Sequence, residues 1–110
     1  MFSAPDETIW IGVLRLVLYL PAAKSKKDKR KIISKLRDRF KSRYNLSIAE
    51  VGHLENLQRS ILVVCKIGNN AQHLRSSLQT RFQEALSILD ARIDDHHISL
   101  SKFDSSPSWS

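Results

Sequence analysis

Residues 9–20, IWIGVLRLVLYL, are apolar on both parities. In an extended chain the even positions Trp10, Leu14, Leu16, Leu18 and Leu20 share one side. The odd positions Ile9, Ile11, Val13, Val17 and Tyr19 share the other, with Arg15 the one charge among them. A strand of this kind belongs in the middle of a sheet, covered on both faces. Pro21 stops it. With 110 residues there is room for one core. The expectation is a flexible N-terminus over 1–7, one domain over 8–103 and a disordered tail over 104–110 that includes Trp109.

The remainder of the chain supplies the partners for that strand. Ser25, with Asp28 three residues on, is a capping-box pattern that opens a helix. Ile32, Ile33, Leu36, Phe40 and Tyr44 form its apolar stripe, and Asn45 suits a left-handed C-terminal position. LSIAEVGH (46–53) alternates weakly as a strand, LENLQ (54–58) is a polar turn, and SILVVCKI (60–67) is a second apolar strand stopped by Gly68. Asn69 is expected to cap a second helix with Gln72 at its third position. Its stripe is Ala71, Leu74, Leu78, Phe82, Ala85, Leu86 and Leu89. A last strand through 91–103 carries Ile93, Ile98, Leu100 and Phe103. The order β-α-β-β-α-β predicts an α+β, ferredoxin-like sandwich: an antiparallel sheet with two helices on one face. The even face of the first strand then meets the helices and the odd face is left open.

Charge is distributed unevenly. Residues 24–43, KSKKDKRKIISKLRDRFKSR, hold 11 basic and 2 acidic residues, whereas the other 90 hold 7 basic and 9 acidic, within a formal net charge of +7. Around the first helix, Lys27, Arg30, Lys31, Lys35 and Lys41 fall on or near the side opposite the stripe, while Lys29, Arg39 and Arg43 flank it and can lay their stems over it. A solvated face is the ordinary explanation of a charge run. Two features argue against it here. Solubility calls for mixed charge. Lys24, Lys26 and Lys27 also crowd the helix start, where the macrodipole disfavours each exposed cation by ~0.3–1 kcal/mol. Phosphate binding explains both, with Lys24, Lys26, Lys27, Arg30, Lys31, Lys35 and Lys41 as the contact set and the first backbone N–H groups adding donors.

Four blocks carry a resemblance: IGVLRLVLYLP (11–21), KSKKDKRKIISKLRDRF (24–40), NLSIAEV (45–51) and QRSILVV (58–64). In this order they are similar to the YlxP-like family of small bacterial proteins, a domain of unknown function, over about residues 8–103. The family usually has Leu where this chain has Lys26, so this helix start is more basic and lacks an apolar staple. The resemblance implies a ferredoxin-like fold and no established activity. It also implies a setting among genes for transcription and translation factors, hence RNA or the ribosome as a partner.

Other chemistries find little footing. Cys65 is the single cysteine, which rules out an internal disulfide, and its place in SILVVCKI predicts a buried strand thiol. His96 and His97 are adjacent, so they face opposite sides of a strand, and His53 and His73 lie on separate elements; no metal site is expected. Gly12, Gly52 and Gly68 are scattered and form no phosphate loop. Asp94 and Asp95 are strand neighbours rather than a dyad. No catalytic order stands out, so neither an enzyme nor a cofactor is expected. Glu50 and Arg59 are expected to form a cross-strand ion pair. The apolar start is a poor signal peptide, with Asp6 and Glu7 and no base before it, and too short for a spanning helix, which needs ~20 residues. A cytoplasmic location with no membrane partner follows.

The open sheet face has one aromatic on the first strand, Tyr19, and none at Ile61, Val63, Cys65 and Ile67, so base stacking there is not expected. An aliphatic face is better hidden against a second copy, with Ile11, Val13, Arg15, Val17 and Tyr19 at the interface and Arg15 paired to an acid such as Glu50. The reading is a non-enzymatic homodimer binding RNA or ribosome phosphates through its first helix. The alternative is a dimeric regulatory or protein-interaction module whose basic face meets an acidic partner. An enzyme with a site shared across the dimer is the remaining one.

Overall fold

Leu14, Leu16, Leu18 and Leu20 have no exposed surface, whereas Ile11, Val13, Val17 and Tyr19 are half-buried and Arg15 is exposed. That split is the first strand's two faces, as its alternation predicts. The computed structural model describes residues 7–103. The expectations for residues 1–6 and for the 104–110 tail with Trp109 lie outside the described residues.

The elements run β1 (Ile9–Tyr19), α1 (Lys26–Tyr44), β2 (Ser47–Gly52), β3 (Arg59–Gly68), α2 (Ala71–Ile88) and β4 (Arg92–Phe103). The four strands form one sheet in the order β2-β3-β1-β4, every neighbouring pair antiparallel. β1 is therefore internal, as a doubly apolar strand requires. α2 packs over β1 and β4, and α1 over β2. This is the ferredoxin-like α+β arrangement, and the core lies between the helices and one sheet face. Leu14, Leu16 and Leu18 of β1 meet Leu62 and Val64 of β3 and, from above, Ile33, Leu36, Phe40, Leu78 and Ala85.

Local signals place the helix ends. Ser25 Oγ accepts the Asp28 N–H at 3.1 Å, and the Asp28 carboxylate reaches back to the Lys24 N–H at 2.9 Å. Asn45 closes α1 in the left-handed region at φ 52°, its N–H returning to Lys41 and Phe40 carbonyls. α2 begins one residue later than the capping pattern implies: Asn70, not Asn69, is the cap, its side chain accepting the His73 N–H at 3.0 Å. Two adjacent asparagines make the start ambiguous in sequence. Leu86, expected in the α2 stripe, is 48% exposed. Its neighbour Ala85, expected in the same stripe, is fully buried.

Gly12 is where α2 comes down onto β1. A Cβ there would stand 2.7 Å from Leu78 Cδ1 and 2.9 Å from Leu74 Cγ. The absent side chain is what lets the helix settle on the central strand.

Candidate nucleic-acid interface

The α1 stripe is the expected one with a lysine added. Its buried residues are Lys29, Ile33, Leu36 and Phe40, spaced 4, 3 and 4, while Ile32 and Tyr44 are half-buried at its margin. A lysine thus heads the core-facing row. Lys24, Lys26, Lys27, Arg30, Lys31, Lys35 and Lys41 are all exposed. Among the described residues one of these seven has an ion-pair partner: Lys26 stands 3.6 Å from Glu55, with both side chains largely in solvent. Such a pair contributes little. The Asp28 carboxylate accepts from the Lys24 N–H in the cap and makes no ion pair among the described residues.

Lys29 is the exception among the eleven bases of 24–43, at 5% exposure. Its ammonium lies 2.7 Å from Glu50 Oε2 and donates to the carbonyls of His53 at 2.9 Å and Asn56 at 2.6 Å. Of the three N–H donors of the ammonium, two go to these carbonyls, and the contact with Glu50 is an ion pair. Ser60, fully buried, donates to the same Glu50 Oε2 at 2.7 Å. His53 holds φ 56°, a left-handed turn geometry that histidine tolerates better than bulky residues do. The result ties α1 to the β2–β3 turn. It also corrects two expectations. Glu50 pairs with neither Arg59 nor Arg15, because it lies on the helix-facing side of β2 whereas Arg15 is on the open face.

A second ionic cluster joins the two helices. Glu84 on α2 accepts from Arg39 Nε and from Tyr44 Oη at 3.2 Å, and Arg81 Nε lies 3.2 Å from its other oxygen. That last approach lacks hydrogen-bond geometry and acts through charge. The Arg81 guanidinium lies 3.6 Å from the Tyr44 ring centre. Burial alone would raise the Glu84 carboxyl, but the hydrogen bonds from Arg39 and Tyr44 and the charges of Arg81 and Arg39 hold it below its ordinary value. Arg39, expected to flank the stripe, is a helix–helix contact.

Between α1 and the β2–β3 turn lies a groove of about 270 Å³. Lys26, Arg30 and Arg37 stand along it, with Ile33, Leu54 and Leu57 as apolar wall and Glu50 at its lining. Leu54 and Leu57 are 59% and 36% exposed. A wider groove of about 870 Å³ runs between α2 and β4 and is mostly polar; in it Phe82 stacks on His96 with ring centres 3.7 Å apart. His97, opposite Arg15 in the β1–β4 ladder, faces the other side, so the two adjacent histidines diverge as expected.

On the open sheet face, Ile67 is 68% exposed, and Cys65 is half-buried rather than buried, because it lies on this side of β3. At one end of the face Tyr19 has the guanidinium of Arg92 4.8 Å from its ring centre and that of Arg59 at 5.9 Å. Arg92 also binds Asp94 and, with the charge of Arg59, holds that carboxyl below its ordinary range. Arg59 thus serves Tyr19 and Asp94 in place of Glu50. Among the described residues no group of three His, Cys, Asp or Glu is placed to hold a metal, and no helix is long and apolar enough to cross a membrane.

Lys29 was within reach of sequence reasoning. Residues 29, 33, 36 and 40 make a regular core-facing row, and Glu50 shares parity with Leu46 and Ile48, two apolar residues. An acid on the core side of a strand requires a cation, and the row of α1 supplies one. The Glu84 cluster had no comparable signal, since it depends on how the two helices lie beside each other.

No curated protein matches the chain. Among solved structures it is similar to two de novo designed proteins. One is Foldit4, at 8% identity and TM-score 0.45 over 87% of this chain and 97% of that one. The other is Ferredog-Diesel, at 12% identity and TM-score 0.39 over 90% of each. At these scores neither bears on function. The family model described as Protein of unknown function (DUF503) matches residues 11–101, and the chain belongs to that family.

Proposed function

We propose that the protein is a non-enzymatic cytoplasmic module that binds RNA or ribosome phosphates through the outer face of α1. The observation that carries this reading is the sorting of charge on one helix. Lys29 is turned inward and paired with Glu50, while Lys24, Lys26, Lys27, Arg30, Lys31, Lys35 and Lys41 stand in solvent with one weak ion pair among them. A cationic face of that density, neutralised by few neighbouring acids, favours a polyanion, whose affinity comes from phosphate contacts and counterion release. The resemblance to the YlxP-like family points to the same translation setting.

The proposal includes a homodimer through the open sheet face. Supporting it are the half-buried row Ile11, Val13, Val17 and Tyr19 and the apolar surface continued by Ile67 and Phe103 at 68% and 45% exposure. Arg15 in the middle of the row has Val63 and His97 as cross-strand neighbours and no acid.

The test is the variant with Lys27, Lys31 and Lys35 all changed to Gln. RNA binding weakens for all sequences alike, and the slope of log K against log salt becomes shallower by about 0.7 for each phosphate of a single strand that is no longer neutralised. The fold survives, since all three side chains are exposed. An unchanged affinity and slope removes the helix from the mechanism. Retention of an acidic protein with no RNA retention favours the alternative, an interaction module.

A further inference from the structure

Leu54 and Leu57 are large apolar side chains exposed in a turn that has no need of them for the core. They face the groove beside α1, whose other side carries Lys26, Arg30 and Arg37. The groove is held open from below. Lys29 binds the His53 and Asn56 carbonyls on either side of Leu54, so the turn cannot swing away from the helix without breaking buried hydrogen bonds. Glu50 lines the same space, and among the described residues both of its polar partners, Lys29 and Ser60, meet it at Oε2. Its Oε1 is therefore left as an acceptor with no partner among those residues. One groove thus offers an apolar wall, one carboxylate acceptor and three cations besides the paired Lys29.

We propose that this groove takes a single unstacked nucleotide bearing an exocyclic amino group. The base lies against Leu54 and Leu57, its amino group donates to Glu50 Oε1, and its phosphate meets Arg30 and Arg37. The inference rests on the RNA reading given above and adds to it a place where sequence is read. Free phosphate would use the cations, ignore the leucines and be repelled by Glu50. An acidic peptide would bring a carboxylate toward the carboxylate already there. A base brings N–H donors on a flat apolar body, which matches both. Carboxylates accept from the cytosine amino group. Uracil presents carbonyl oxygens on either side of its one N–H and is repelled. The space, about 270 Å³, is just below the ~300 Å³ at which small-molecule sites begin, so it suits one base and not a stacked run.

The experiment compares single-stranded oligo-C and oligo-U of equal length by fluorescence anisotropy at one salt concentration. Wild-type protein binds oligo-C roughly tenfold more tightly, as expected for one hydrogen bond to a charged group. The double variant Leu54→Ser, Leu57→Ser loses affinity for oligo-C and most of the preference, with an unchanged melting temperature because both leucines lie outside the core. Glu50→Gln, whose neutral amide oxygen is a weaker acceptor than the carboxylate, reduces the preference; its melting temperature is measured alongside because the change also takes the counter-charge from Lys29, and a full preference in the folded variant overturns the carboxylate contact. Equal binding of the two oligomers by wild type overturns the groove and leaves the basic helix standing. Retention of the full preference in the leucine variant overturns it too. Failure to bind either oligomer overturns both this proposal and the reading beneath it.

Discussion

The ammonium of Lys29 lies 2.7 Å from Oε2 of Glu50, under the one face of a highly basic helix that does not see solvent. This pair joins α1 to the edge strand β2, and two of the lysine's N–H groups hold the turn that follows. Lys29→Met keeps the stem and deletes the charge, which leaves Glu50 and two carbonyls without their donor. Breaking a buried pair in this way costs about 3–5 kcal/mol; Glu50 retains 21% side-chain exposure, so a loss near the lower bound of about 3 kcal/mol is expected in chemical denaturation. A loss under about 1 kcal/mol would show that water replaces the ammonium readily.

Phe40 has no exposed surface and packs edge-on to Tyr44 with ring centres 6.1 Å apart. Phe40→Ala is expected to destabilise by ~3–5 kcal/mol, a large fraction of a small domain's stability. A much smaller loss would mean that the neighbouring leucines collapse into the space.

Glu84 ties stability to pH. Its carboxyl is held below the ordinary value of 4.5, so the charged form is favoured in the folded state. That contribution is present in full above the unfolded value and is lost as pH falls through the lower folded value. Wild type should therefore melt above Glu84→Gln at neutral pH, with the gap closing below about pH 4.5. A gap that stays constant from pH 7 to pH 3 would assign the effect to packing and not to charge.

Val13 lies in the middle of the open face, beside Cys65 on β3 and Ser99 on β4. If two copies meet there, Val13→Lys places an unpaired charge in the interface and leaves the helix-facing core untouched. Sedimentation should give a dimer for wild type at micromolar concentration and a folded monomer for the variant, which melts lower by the stabilisation that association supplies. A monomeric wild type would refute the dimer outright.

The element order, the buried even face of β1 and the caps at Ser25 and Asn45 were legible because each rests on local periodicity or on side chain–backbone bonds within four residues. The seven exposed bases were legible for the same reason. What escaped was long-range. Glu50 was assigned to partners on its own sheet because cross-strand neighbours follow from register, whereas its actual partner, Lys29, comes from the helix layered above. Arg39 was placed beside the stripe and Tyr44 within it, both without their destination, because Glu84 lies 40 or more residues away in sequence. The one-residue shift to Asn70 came from a sequence with two equivalent caps side by side.

The inward lysine also fixes the roll of the helix about its own axis. Pinned by an ion pair and two hydrogen bonds near its start and by Phe40 near its end, α1 cannot turn to offer a different side. Lys27, Lys31 and Lys35, four residues apart, therefore stand as rungs about 6 Å from one another along a fixed line. A polyanion arriving at this surface meets a comb whose spine is already rigid. The freedom given up on binding is confined to the lysine tips, and selectivity among anions becomes a question of which spacing fits the teeth.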